Sequence, residues 1–112
     1  MLLNKLIIET LKPLNIPVGF QKYKGKSNTY ITFHEYLQIG EEFEEDQEFY
    51  TGHHIQIDVW SKEDYTELVN LVRNKLTTIG FKRISEEDLY EKDTCLYHKG
   101  MRFFYLEEKE VV

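Results

Sequence analysis

The apolar positions of the chain follow two periods, and one gives way to the other near residue 61. Ile55, Ile57 and Val59 alternate with Gln56 and Asp58, the period of two that gives a strand one apolar face and one polar face. From Tyr65 onward the spacing lengthens to three and four: Tyr65, Leu68, Val69, Val72, Leu76 and Ile79 form one stripe. This predicts a helix from about Lys62 to Ile79. Ser61 stands where an N-cap belongs, Glu63 and Asp64 suit the positive end of the helix, and Gly80 supplies the C-terminal stop. A strand leading into a helix that lies over its apolar face predicts the core of a small α+β domain.

The flanking segments extend this pattern. Leu2, Leu3, Leu6, Ile7 and Leu11 recur at helical spacing, and Pro13 ends the run. After the bend at Asn15-Ile16-Pro17, Val18 to Tyr23 reads as a strand, and Lys24 to Asn28 carries turn chemistry. Thr29 to Ile39 is a strand with Ile31, Phe33, Leu37 and Ile39 on one face, interrupted only by Glu35. A second strand, Phe49 to Trp60, returns beside it as a long antiparallel hairpin. Beyond Gly80, the pattern predicts a strand at Phe81–Ile84, a polar link at Ser85–Asp88, and short extended pieces at Leu89-Tyr90 and Thr94–His98. A turn at Lys99-Gly100 then leads into a last strand, Met101–Leu106, and Glu107 to Val112 reads as a frayed tail. The expectation is one domain over residues 1–112, in the order α-β-β-β-α-β-β. Its mostly antiparallel sheet of about five strands carries both helices on one face.

Between the two hairpin strands, six of the nine residues from Gly40 to Glu48 are acidic: Glu41, Glu42, Glu44, Glu45, Asp46 and Glu48. Mutual repulsion favours a protruding, solvated loop there. The whole chain of 112 residues has a net charge of −6, which argues against a protein whose task is to grip phosphates. Its densest basic group, Lys22, Lys24 and Lys26, reads as an exposed turn. A single cysteine forms no internal disulfide and points to a reducing compartment. No apolar run approaches the ~20 residues that cross a bilayer, and no secretory pattern opens the chain.

Candidate chemistry narrows quickly. Cys95 and His98 are three apart in an extended segment, and His53 and His54 are adjacent, so neither pair converges as zinc ligands must. Cys95 has Asp93 and His98 nearby but no helix N-terminus to activate it, and a small buried cysteine is the expectation. The six glycines are scattered singly, so no phosphate-cradling loop is encoded. The acidic stretch lacks the spacing and glycine turn of a calcium loop. Trp60 reads as an anchor at the strand–helix junction. Arg102, set among Phe103, Phe104 and Tyr105, reads as an interface ion-pair partner or an outward-pointing charge. No catalytic residue, cofactor or metal is expected.

One series of residues carries a resemblance. Ile16-Pro17-Val18, Tyr30-Ile31-Thr32-Phe33, His54-Ile55-Gln56-Ile57-Asp58-Val59-Trp60-Ser61-Lys62, Gly80-Phe81 and Asp88-Leu89-Tyr90-Glu91-Lys92-Asp93-Thr94 occur in that order. Tyr97-His98-Lys99 and Met101-Arg102-Phe103 follow. The series resembles the tail completion or tail terminator (head-to-tail joining) proteins of long-tailed phages and prophages, over nearly the whole chain. That resemblance implies a non-enzymatic subunit of a ring, commonly a hexamer, which caps the tail tube and docks the head. Its partners would be further copies of itself, the tail tube protein and the head–tail connector protein. DNA would pass through without specific binding, and no membrane is involved. The setting implied is the bacterial host cytoplasm during assembly, then the head–tail junction of the virion. The acidic residues Glu41 to Glu48 would then line the lumen or a docking surface. A different class also fits the composition: a small homo-oligomeric α+β binding or adaptor module of the host cell. The Thr29–Trp60 hairpin and the Met101–Leu106 strand are the expected subunit contacts in an assembly.

Overall fold

The computed structural model describes residues 3–41 and 50–108. Helix α1 (Leu3–Leu11) passes into a 3-10 turn at Lys12–Leu14, and strand β1 (Val18–Phe20) follows. The long strands β2 (Thr29–Glu41) and β3 (Tyr50–Ser61) precede helix α2 (Thr66–Thr78), and β4 (Lys82–Glu91) and β5 (Leu96–Glu108) complete the chain. The sheet order is β1-β2-β3-β5-β4, antiparallel except for β1 beside β2. This is the expected α+β fold, with its five strands and two helices in the order read from the sequence.

The core occupies one side of the sheet. Ile31 and Phe33 of β2, Ile55, Ile57 and Val59 of β3, and Met101 and Phe103 of β5 are all buried there, beneath Ile7 and Leu11 of α1 and Val69, Val72 and Leu76 of α2. The cross-strand register places these residues side by side, with Phe33 opposite Ile57 and Ile55 opposite Phe103.

Both ends of α2 have a local cause. Ser61 is the last residue of β3 rather than the N-cap, and the helix opens four residues after the expected Lys62. The Asp64 carboxylate accepts the backbone N–H and the hydroxyl of Thr66, a bond that holds its pKa below the usual range. Ser61 Oγ instead accepts the Glu63 N–H at 3.0 Å. At the other end Gly80 takes a φ of 101°, and the N–H groups of Gly80 and Phe81 bond to the carbonyls of Thr77 and Leu76. That pair of bonds is the glycine-dependent Schellman stop.

The C-terminal hairpin differs most from expectation. Residues 82–91 form one strand rather than two pieces joined by a polar link, and Leu96–Glu108 runs straight through Lys99-Gly100 with no turn. Glu107 and Glu108 belong to β5, and the remainder of the expected frayed tail, 109–112, lies outside the described residues. The polar character of β4 has a long-range explanation. Arg73 of α2 donates to both carboxylate oxygens of Glu86 at 2.7 and 2.6 Å. Lys99 Nζ lies 3.2 Å from Asp88, which also accepts the Tyr65 hydroxyl at 2.6 Å. Burial, and then the Asp88 bond, raise the Tyr65 pKa.

The Arg73 bond, helped by Lys99 and Arg83, holds the Glu86 carboxyl below its ordinary pKa. A depressed carboxyl stabilises the fold above its unfolded pKa, and that contribution is lost as pH falls through the folded value. Glu86→Gln is therefore expected to lower unfolding free energy by about 1.5–3 kcal/mol at pH 7. In urea titrations at stepped pH, the gap between variant and wild type should close below about pH 4. A gap independent of pH would show that the charge of Glu86 is not what matters.

Candidate functional site

The most distinctive surface arises from one irregularity in β2. Between Glu35 and Leu37 the register with β3 shifts: Glu35 lies opposite Ile55, whereas Leu37 lies opposite His54. Tyr36 is the extra residue of a β-bulge, which re-aims every side chain that follows it. The expected single face of Ile31, Phe33, Leu37 and Ile39 is thus divided. Ile31 and Phe33 are buried under the helices, while Leu37 and Ile39 turn to the opposite, uncovered face at 46% and 42% exposure. Leu106, opposite the same Gly52 as Ile39, and Phe104, opposite the same His54 as Leu37, extend that surface across β3 to β5.

Aromatic and cationic groups organise the rest of the uncovered face. The Phe104 and Tyr36 rings flank His54 at 5.1 and 5.8 Å between centroids, and the Arg102 guanidinium sits 4.6 Å above Tyr36. Farther along, the Tyr23, Tyr30, Trp60 and His98 rings stack in a row, with successive centroids 4.4, 5.9 and 3.8 Å apart. Trp60 Nε1 donates to Thr32 Oγ1, and His98 Nε2 bonds to the buried Asp58 carboxylate at 2.6 Å. Gln56 Nε2 donates to the same Asp58 oxygen. Gly100 lies beside this group, and a Cβ there would meet Asp58 Oδ1 at 3.4 Å, an ordinary contact distance. Gly100 thus lies on a strand, not in a turn. Aromatic residues with Arg, and few Lys, make up the composition that marks the buried centre of protein interfaces.

On the helix side, His53 ties the three long strands together. Its Nδ1 faces the Glu35 carboxylate of β2 and its Nε2 lies 2.8 Å from Glu107 of β5. The ring is 5% exposed and has a carboxylate within hydrogen-bond reach of each nitrogen. Because His53 and His54 occupy successive strand positions, they face opposite sides of the sheet. Sequence reading did not find the His53 pair: its partners lie 18 and 54 residues away, and only the odd Glu35 in an apolar stripe hinted at it.

Of the acidic residues expected to act, Glu41 is the last residue of β2, paired with Tyr50. Glu42, Glu44, Glu45, Asp46 and Glu48 lie outside the described residues. Cys95, expected to be buried, is exposed in the β4–β5 turn with a φ of 57°. Its thiol donates to the Lys92 carbonyl at 3.7 Å. Among the described residues, no three His, Cys, Asp or Glu side chains converge to hold a metal ion, and no helix is long and apolar enough to cross a membrane. The described residues present an apolar and aromatic sheet face. Neither a protein-family model nor a curated protein matches the sequence of this chain.

Proposed function

We propose that the chain is a structural subunit of a long-tailed phage particle, which caps the tail tube and joins tail to head as a ring around the DNA channel. The ordered series of residues from Ile16-Pro17-Val18 to Met101-Arg102-Phe103 carries this reading. The uncovered sheet face supports it: Leu37, Ile39, Phe104 and Leu106 give a subunit that works by contact a surface to make contact with. The tail tube protein, the head–tail connector protein and further copies of the chain are the partners in this reading. The acidic residues Glu41, Glu42, Glu44, Glu45, Asp46 and Glu48 repel phosphates as DNA passes, where lysines would retard it.

Electron microscopy of an induced lysate lacking only this gene tests the proposal. Filled heads apart from tails of uneven or excessive length are the expected result. Separate heads and tails of normal length would assign joining without length control. Normal infectious virions would overturn the phage reading in favour of a host adaptor module, whose neighbouring genes would not encode tail components.

A further inference from the structure

At the end of the sheet where β3 passes into α2, a groove of about 310 Å³ opens between Leu14, Ile16 and the first turns of the helix. Leu68 and Leu71 line it, and Leu71 remains 43% exposed. Glu63, Asp64 and Glu67 stand around it, and none of the three is paired with a cation among the described residues. The helix dipole explains Glu67, and the bonds to Thr66 explain Asp64. Neither explains Glu63, which precedes the helix, or the bare leucine beside it.

The complement to this groove lies on the same chain, in the turn that leads into Thr29 of the groove's own lining. Lys22, Lys24 and Lys26 are exposed, and none makes an ion pair among the described residues. Their turn is held in shape. Tyr23 stacks on Tyr30, its hydroxyl accepts the Ser27 N–H at 2.8 Å, and Gln21 bonds through its N–H to the Phe33 carbonyl. A turn fixed in this way presents its lysines with little ordering cost on binding.

We propose that the Lys22–Lys26 turn of one copy seats on the carboxylate-rimmed groove of a second copy. Two different patches meet, and a contact made in one direction only is heterologous and propagates from copy to copy until a ring closes. The inference rests on the ring reading above and names the contact that such a ring would use. Lysines meet carboxylates at the rim, and the apolar stems of the lysines lie against Leu68 and Leu71.

Charge reversal tests it with the full chain. Sedimentation in low salt is expected to show concentration-dependent association of the wild type, weakening when salt shortens the screening length to a few ångströms. K24E/K26E and E63K/E67K should each associate at least about tenfold more weakly, with unchanged circular dichroism. An equimolar mixture of the two variants should associate again, because each then meets an opposite charge. Reversed variants that associate like the wild type, or a mixture that stays dissociated, would overturn the contact. So would a wild type that remains monomeric at high concentration, or a lysine turn whose only partner is added duplex DNA. The lysate experiment is independent of all these outcomes: separate heads and tails on gene deletion would leave the functional reading standing while this contact failed.

Discussion

Phe103→Ala is expected to be the most damaging single truncation in the molecule. The side chain is fully buried and lies opposite Ile55, with the Phe81 ring edge-on 6.2 Å away. Its removal takes away transfer free energy and leaves a cavity walled by strands on both sides, which cannot collapse without breaking register. Substitutions of this kind cost roughly 3–5 kcal/mol, equivalent to a fall in Tm of roughly 12–20 °C for a domain of this size. Thermal and urea unfolding measure it directly. A loss below about 1 kcal/mol would mean that Phe103 does not sit in the shared core of β3, β5 and α2.

His53→Ala is the second large effect, and its location differs. Two carboxylates lose the ring that stands between them, and Glu35 and Glu107 have only 27% and 21% of their side-chain surface exposed. Taking the hydrogen-bond partner from a part-buried carboxylate costs roughly 1–3 kcal/mol, and here two lose theirs. The loss should be local. Hydrogen exchange is expected to quicken in Leu37–Glu41, Tyr50–Gly52 and Leu106–Glu108, while amides of Ile57 and Met101 stay protected. Adding Glu35→Gln to His53→Ala should recover part of the stability, because the carboxylate charge is then gone. If the double variant were less stable than His53→Ala alone, the charge of Glu35 would not be the source of the loss.

What could be read from the sequence was whatever depended on neighbours along the chain. The alternation at Ile55–Val59 and the stripe from Tyr65 to Ile79 located β3, α2 and the buried face, and Gly80 marked its stop correctly. What misled were residues whose reasons lie far away. Ser85–Asp88 looked like a polar link because its partners, Arg73, Lys99 and Tyr65, come from α2 and β5. Gly100 looked like a turn residue, and it lies within β5, opposite Asp58 of β3 and Glu87 of β4. The uncovered face was hidden more thoroughly. Leu37 and Ile39 resume the alternation of Ile31 and Phe33 after Glu35, and only the pairing of β2 with β3 shows that one extra residue intervenes.

That extra residue gives the protein two surfaces that can change independently. On the root side of Tyr36, a substitution in β2 is tested against the packing of both helices. Beyond it, Leu37 and Ile39 share the exposed face with Phe104 and Leu106, across His54 and Gly52 of β3. Selection can therefore rewrite the outer surface without repacking the core, and the core can drift in size without disturbing that surface. In related chains, variation at Ile31 and Phe33 should track the helices, and variation at Leu37 and Ile39 should be independent of them.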